Sequence, residues 1–161
     1  MLLSRKINII YGRTESDTFL GDCMEAIIRQ VDGITMVGKS DSGVWVTMDG
    51  PAEFGGSEAG VRPFELLLIG LGGCTGMDVV SILAKKRVSL DDFEVRIEAD
   101  QASEHPKVFT EIRIKYVFYG KGLNPKHVEE AISLSQDKYC SASAMLKKAC
   151  EIKHEYEIVE K

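Results

Sequence analysis

A chain of 161 residues, 44% hydrophobic and 28% charged, carries enough apolar material for one domain with a sizeable core, or two at a stretch, and is too apolar to be disordered. Twenty basic against 25 acidic side chains leave a net charge of −5, which argues against the basic surface that nucleic acid or an anionic membrane requires. Four cysteines, at 23, 74, 140 and 150, are too few for a disulfide scaffold and show no C-x-x-C spacing. An intracellular, cytoplasmic domain is expected, with thiols that are either core residues or chemistry.

The first eleven residues carry Arg5 and Lys6 without a following apolar stretch or a small-residue cleavage site, so no leader is expected. Ile7 and Ile9 alternate around Asn8 too briefly to define a strand, and Met24 directly precedes a clear one. Residues 1–23 therefore read as an N-terminal extension and residues 24–161 as the domain. From Ala26 the pattern is a β-meander. Ala26–Val31 and Ile34–Lys39 flank the turn Asp32-Gly33, whose glycine accepts a positive φ. Asp41-Ser42-Gly43 turns the chain into a strand over Val44–Met48, and the glycine-rich stretch from Gly50 to Gly60 is a loop.

Pro63 suits the first position of a long helix, Glu65 its positive end, and Lys85, Lys86 and Arg87 its negative end, which predicts a helix over Pro63–Arg87. Its strongest apolar run, Leu66 to Cys74, is about half of the ~20 residues that span a membrane, so it reads as a buried core helix. Gly70, Gly72, Gly73 and Gly76 each cost about 1 kcal/mol against alanine. Close packing against another helix would offset that cost.

Two alternating strands follow. Phe93, Val95, Ile97 and Ala99 share a face of the first, and Thr110, Ile112, Ile114, Tyr116 and Phe118 share a face of the second. The charged residues between them make the other face of this antiparallel pair wet. Asn124-Pro125 caps a helix running to about Tyr139, with Val128, Ala131, Ile132 and Ser135 inward. A third helix, Ser141–Ala149, and a strand, Ile152–Val159, complete an α+β order.

Cys23, Cys150 and the three histidines, His105, His127 and His154, read as ordinary residues. Cys74 and Cys140 do not. Cys74 lies mid-helix between Gly72-Gly73 and Thr75-Gly76, which open space around the sulfur that a packing cysteine would not need. Cys140 stands at the joint between two helices, just before Ser141, where free N–H groups lower a thiol's pKa. From the residues alone these are two helix-associated thiols, with pairing left open.

Two segments resemble the OsmC/Ohr family of peroxide-reducing thiol proteins, in wording like its YhfA-like branch. Arg62-Pro63-Phe64-Glu65-Leu66-Leu67-Leu68-Ile69-Gly70-Leu71-Gly72-Gly73-Cys74 is similar to the family's first cysteine motif. Tyr139-Cys140-Ser141-Ala142-Ser143-Ala144-Met145-Leu146 is similar to its second, and the element order after Met24 agrees. The resemblance implies an OsmC-like fold, with antiparallel sheets wrapped around central helices in an intertwined homodimer where Gly70, Gly73 and Gly76 let helices cross closely. It implies that Cys74 is the peroxidatic cysteine and Cys140 the resolving one. Organic hydroperoxides or hydrogen peroxide would be the substrates, and an external dithiol such as a dihydrolipoyl group the reductant, with no metal or flavin. Phe64 stands where the family's reductases carry a glutamate. Glu65 follows one residue later, turned by roughly 100° around the helix; it is a candidate catalytic acid or simply a helix-start acid. No arginine matches the family's N-terminal one, and Lys39 and Arg62 are the cations nearest the expected places. Rival readings keep the fold but let a cavity bind a small apolar ligand or a partner without turnover, or let the cysteine pair sense oxidation.

Overall fold

A computed structural model describes residues 24–160. The expected N-terminal extension over residues 1–23, with Cys23, lies outside the described residues. The chain divides after Gly60 into two compact units.

In the first unit, β1 (Ala26–Asp32), β2 (Thr35–Ser40) and β3 (Val46–Met48) form an antiparallel meander in that order. Asp32 pairs with Thr35, so the turn is Gly33-Ile34, one residue later than the sequence predicts. Gly33, at φ 51°, takes the first turn position, and a register shift between Gln30 and Asp32 absorbs the extra residue. Pairing of β3 begins with Val46 opposite Gly38, which leaves Val44 and Trp45 outside the strand.

One carboxylate organises the glycine-rich loop. Asp49, 2% exposed, accepts N–H bonds from Gly50, Ser57 and Ala59 at 2.8, 3.0 and 3.1 Å. It also accepts hydroxyl bonds from Ser57 at 2.8 Å and Thr35 at 3.1 Å. These donors, the Ala59 N–H foremost, outweigh burial and hold its carboxyl well below the usual carboxylate range. The loop closes so tightly that a Cβ at Gly56 would fall 2.0 Å from the Gly50 carbonyl oxygen. Because the folded value is depressed, Asp49 stabilises this unit above the ordinary carboxyl pKa of about 4, and the stabilisation is lost as pH falls below it. Asp49→Asn is expected to lower the urea midpoint at pH 7 and to flatten its acid dependence below about pH 4. Fluorescence of the chain's single tryptophan, Trp45, reads the transition.

The second unit contains α1 (Glu65–Lys85), β4 (Asp92–Gln101), β5 (Phe109–Tyr119), α2 (Pro125–Leu134), α3 (Ser141–Leu146) and β6 (Glu151–Val159). Its sheet has the order β4-β5-β6, with β4 antiparallel and β6 parallel to β5. The α+β class holds, but the sheet is mixed rather than antiparallel throughout. The helical connection after β5 carries the chain back along the sheet, so β6 runs beside β5 in the same sense. Ile112, Ile114, Tyr116 and Phe118 of β5 are buried against the helices with Leu71, Val79, Leu83, Val128, Ala131 and Ile132. Thr110 departs from the expected face. The ladder shifts from Asp100–Glu111 to Gln101–Phe109, and this bulge turns Phe109 inward and Thr110 out. The opposite face is wet, and Arg113 pairs there with Asp100 and Glu111, Lys115 with Glu157, and Lys153 with Glu111.

Helix α1 starts at Glu65 after the cap residue Phe64, so Pro63 precedes the helix instead of opening it; Arg87, at φ 59°, lies past its end. Leu71, Thr75, Gly76, Val79 and Leu83 form its buried stripe. Leu67, Ile69, Met77 and Val80 are exposed, so α1 is a core helix on one side only. By length and composition alone it would also pass for a membrane span. The expected role of its glycines divides. A Cβ at Gly72 would meet Ile97 at 3.1 Å and one at Gly76 would meet Val95 at 3.3 Å, so these two admit the sheet rather than another helix. Around Gly70 and Gly73 there is open space within 4 Å.

Candidate active site

Cys74 and Asp78 stand one turn apart on α1 and so share a face. The second thiol arrives by a change of helical pitch. At its C-terminus α2 passes into a π-helical turn, Ser135–Tyr139, closed by the Cys140 N–H on the Ser135 carbonyl at 2.9 Å. The sequence predicts continuous α-helix here. Cys140 then caps α3, its Sγ accepting the Ser143 N–H at 3.3 Å. The outcome is that Cys74 Sγ, Cys140 Sγ and an Asp78 carboxylate oxygen all lie within 4.8 Å of one another. A disulfide of ~2.05 Å requires the sulfurs to approach by a distance of the order that side-chain rotation covers.

The two thiols differ in access: Cys140 is 2% exposed and Cys74 is half-buried. Burial, above all, pushes the Cys74 thiol up, and the Ala142 N–H acts in the opposite direction. A hydrogen bond with Cys140 and the negative charges of Cys140 and Asp78 push it up further.

Behind the thiols lies a buried polar network. Thr75 Oγ1 is 2.6 Å from the Tyr116 hydroxyl and 2.9 Å from Ser135 Oγ, and Gln136 Nε2 donates to Tyr116 at 2.7 Å and to Thr75 at 3.2 Å. Ser135 Oγ donates to the Asp78 carboxylate at 3.1 Å, which fixes that carboxylate beside the sulfurs. Among the described residues two buried oxygens, Gln136 Oε1 and Ser143 Oγ, have no hydrogen-bond partner. A depression of about 300 Å³ lined by Asp78, Ser81, Lys85, Lys86, Leu134 and Tyr139 opens beside the cluster.

The other sequence candidates lie elsewhere. Glu65 accepts the Arg62 N–H at 3.2 Å and sits 4.0 Å from the Arg62 guanidinium, as a helix-start acid does. It precedes Cys74 by nine residues, roughly 13 Å along the helix axis. Phe64 stacks on Phe109 at 4.2 Å, and the Lys39 ammonium lies 5.1 Å from the Trp45 ring centre. Cys150 donates to the Leu146 carbonyl at 3.6 Å and its thiol is pushed up by burial, in keeping with an ordinary core cysteine. Sequence reasoning did not assign a site role to Asp78, Thr75, Tyr116, Ser135 or Gln136. A signal existed for the first: Asp78 is the single charge between Glu65 and Lys85.

Residues 55–155 match the family model described as OsmC-like protein. Protein YhfA of Escherichia coli K12 is 39% identical over 136 residues, 84% of this chain and 98% of that one. The crystal structure of a hypothetical protein from Aquifex aeolicus superposes with a TM-score of 0.77 at 35% identity, covering 88% of this chain and 99% of its own. An organic hydroperoxide resistance protein from Legionella pneumophila shares the fold, with a TM-score of 0.63 at 17% identity over 84% and 97% of the two chains. With most of the site-bearing unit matched and a relative well above 30% identity, the chain belongs to the OsmC-like protein family.

Proposed function

We propose that the protein is a cytoplasmic, homodimeric, thiol-dependent peroxidase that reduces organic hydroperoxides or hydrogen peroxide. The observation that carries this reading is the meeting of Cys74 and Cys140 sulfurs, one accessible and one buried, on separate helical elements. The Cys74 thiolate attacks the peroxide, breaking the O–O bond and releasing alcohol or water, and the sulfur becomes a sulfenic acid. Cys140 displaces that hydroxyl as water and forms the disulfide, which an external dithiol returns to two thiols by exchange. Free thiols at Cys74, Cys140 and Cys150 suit a reducing compartment. The uncovered Leu67, Ile69, Met77 and Val80, beside the open Gly70 and Gly73, suit the close approach of α1 to a second copy. The solved structure named for hydroperoxide resistance supports the reading through its fold.

Reduced protein mixed with cumene hydroperoxide is expected to consume one equivalent per chain, lose two thiols and yield a Cys74–Cys140 linked peptide by mass spectrometry. No peroxide loss over hours would sink the reading. That outcome would favour the alternative, a binding protein without turnover, which the upward push on the Cys74 thiol supports.

A further inference from the structure

We propose that the reduced protein binds one zinc ion through Cys74 Sγ, Cys140 Sγ and an Asp78 carboxylate oxygen, leaving a fourth position open. Three donors within 4.8 Å of one another approach the shape such a site needs. Zinc–sulfur bonds of about 2.3 Å and zinc–oxygen bonds of about 2.1 Å give tetrahedral edges of roughly 3.5–3.8 Å, so the donors must draw together by about 1 Å. Two sulfurs and a carboxylate suit a borderline-soft ion and disfavour magnesium or calcium, which take oxygen ligands.

The surroundings resemble a built coordination shell. Ser135 Oγ holds the Asp78 carboxylate at 3.1 Å, the Ser143 N–H reaches Cys140 Sγ at 3.3 Å, and the Ala142 N–H reaches Cys74. Among the described residues, Gln136 Oε1 and Ser143 Oγ, on residues 4% and 0% exposed, lack a hydrogen-bond partner.

Binding replaces the two thiol protons, which leave to solvent, with one zinc ion. It ties up the electron pairs that would attack a peroxide, so zinc and hydroperoxide compete for the same sulfurs. When a hydroperoxide does oxidise the pair, two protons are taken up, the disulfide, an alcohol and water form, and the zinc ion is released. The site does not depend on turnover, and its test reads the metal alone, so it can fail or succeed separately from the peroxidase reading.

Cobalt(II), a spectroscopic stand-in for zinc, is titrated into the reduced full chain, and zinc affinity is read by competition with a chromophoric chelator. One cobalt per chain with a sulfur-to-cobalt charge-transfer band is expected. The band should disappear in Cys74→Ser and after oxidation to the disulfide, and persist in Cys150→Ser. Asp78→Asn, nearly isosteric, is expected to weaken zinc binding at least as much as the ~10–100-fold that loss of an outer-shell partner costs. No band in the wild type, a band unchanged in Cys74→Ser or in the oxidised protein, or wild-type zinc affinity in Asp78→Asn would each overturn the assignment.

Discussion

Cys140→Ser is expected to consume its first equivalent of cumene hydroperoxide faster than the wild type, because two of the influences that push the Cys74 thiol up are removed, and then to stall as a sulfenic acid. Cys74→Ser is expected to lose at least about 1,000-fold in rate, because the other thiol at the site, Cys140, is buried away from the peroxide. The asymmetry follows from access. Cys74 is half-buried at the cluster and meets solvent, whereas Cys140 is 2% exposed and held by the Ser143 N–H. A peroxide therefore reaches Cys74, and Cys140 acts only after a sulfenic acid has formed within its reach. Single-turnover mixing, with a dimedone trap for the sulfenic acid, separates the two variants. If the roles were reversed, Cys74→Ser would give the trapped adduct at Cys140.

The two thiols were legible because each stands in a local pattern, glycines around Cys74 and a helix joint at Cys140. Their partners were not. Asp78 reads along the chain as an interruption of an apolar run, and only its i+4 relation to Cys74 shows that it shares the sulfur's face. Helical periodicity places Ser135 inward, yet the turn that brings it to Asp78 has five residues, Ser-Gln-Asp-Lys-Tyr, with the composition of an ordinary helix end. A one-residue change of pitch leaves no trace in periodicity. Alternation places Tyr116 on the apolar face of its strand, and its hydroxyl's partners come from α1 and the π-turn, 41 and 20 residues away. The direction of β6 was equally hidden, since alternation marks the faces of a strand and says nothing of its sense. Glu65 shows the converse: a charge next to a motif position can be spent on local capping, here against Arg62.

What limits Cys74 as a nucleophile also sets how its chemistry varies with pH. Burial, followed by its hydrogen bond to Cys140 and the charges of Cys140 and Asp78, pushes the thiol above its ordinary value. At pH 7 the thiolate is therefore a minor species, and peroxide consumption is expected to rise about tenfold per pH unit through neutral pH and to level only above the ordinary thiol value of about 8.5. Asp78→Asn removes a like charge and should shift the whole profile to lower pH, speeding the reaction at pH 7. Burial remains the largest influence in that variant, so only part of the upward push should be relieved. The same shift links to folding. A thiol whose folded pKa is raised contributes stability that is fully present below the unfolded pKa of about 8.5 and lost as pH rises through the folded value. Alkaline pH should thus speed the chemistry while loosening the unit that performs it, and ultraviolet thiolate absorbance alongside urea midpoints at each pH measures both. A flat rate between pH 6 and 9 would mean that Cys74 is already ionised at neutral pH, which these surroundings oppose.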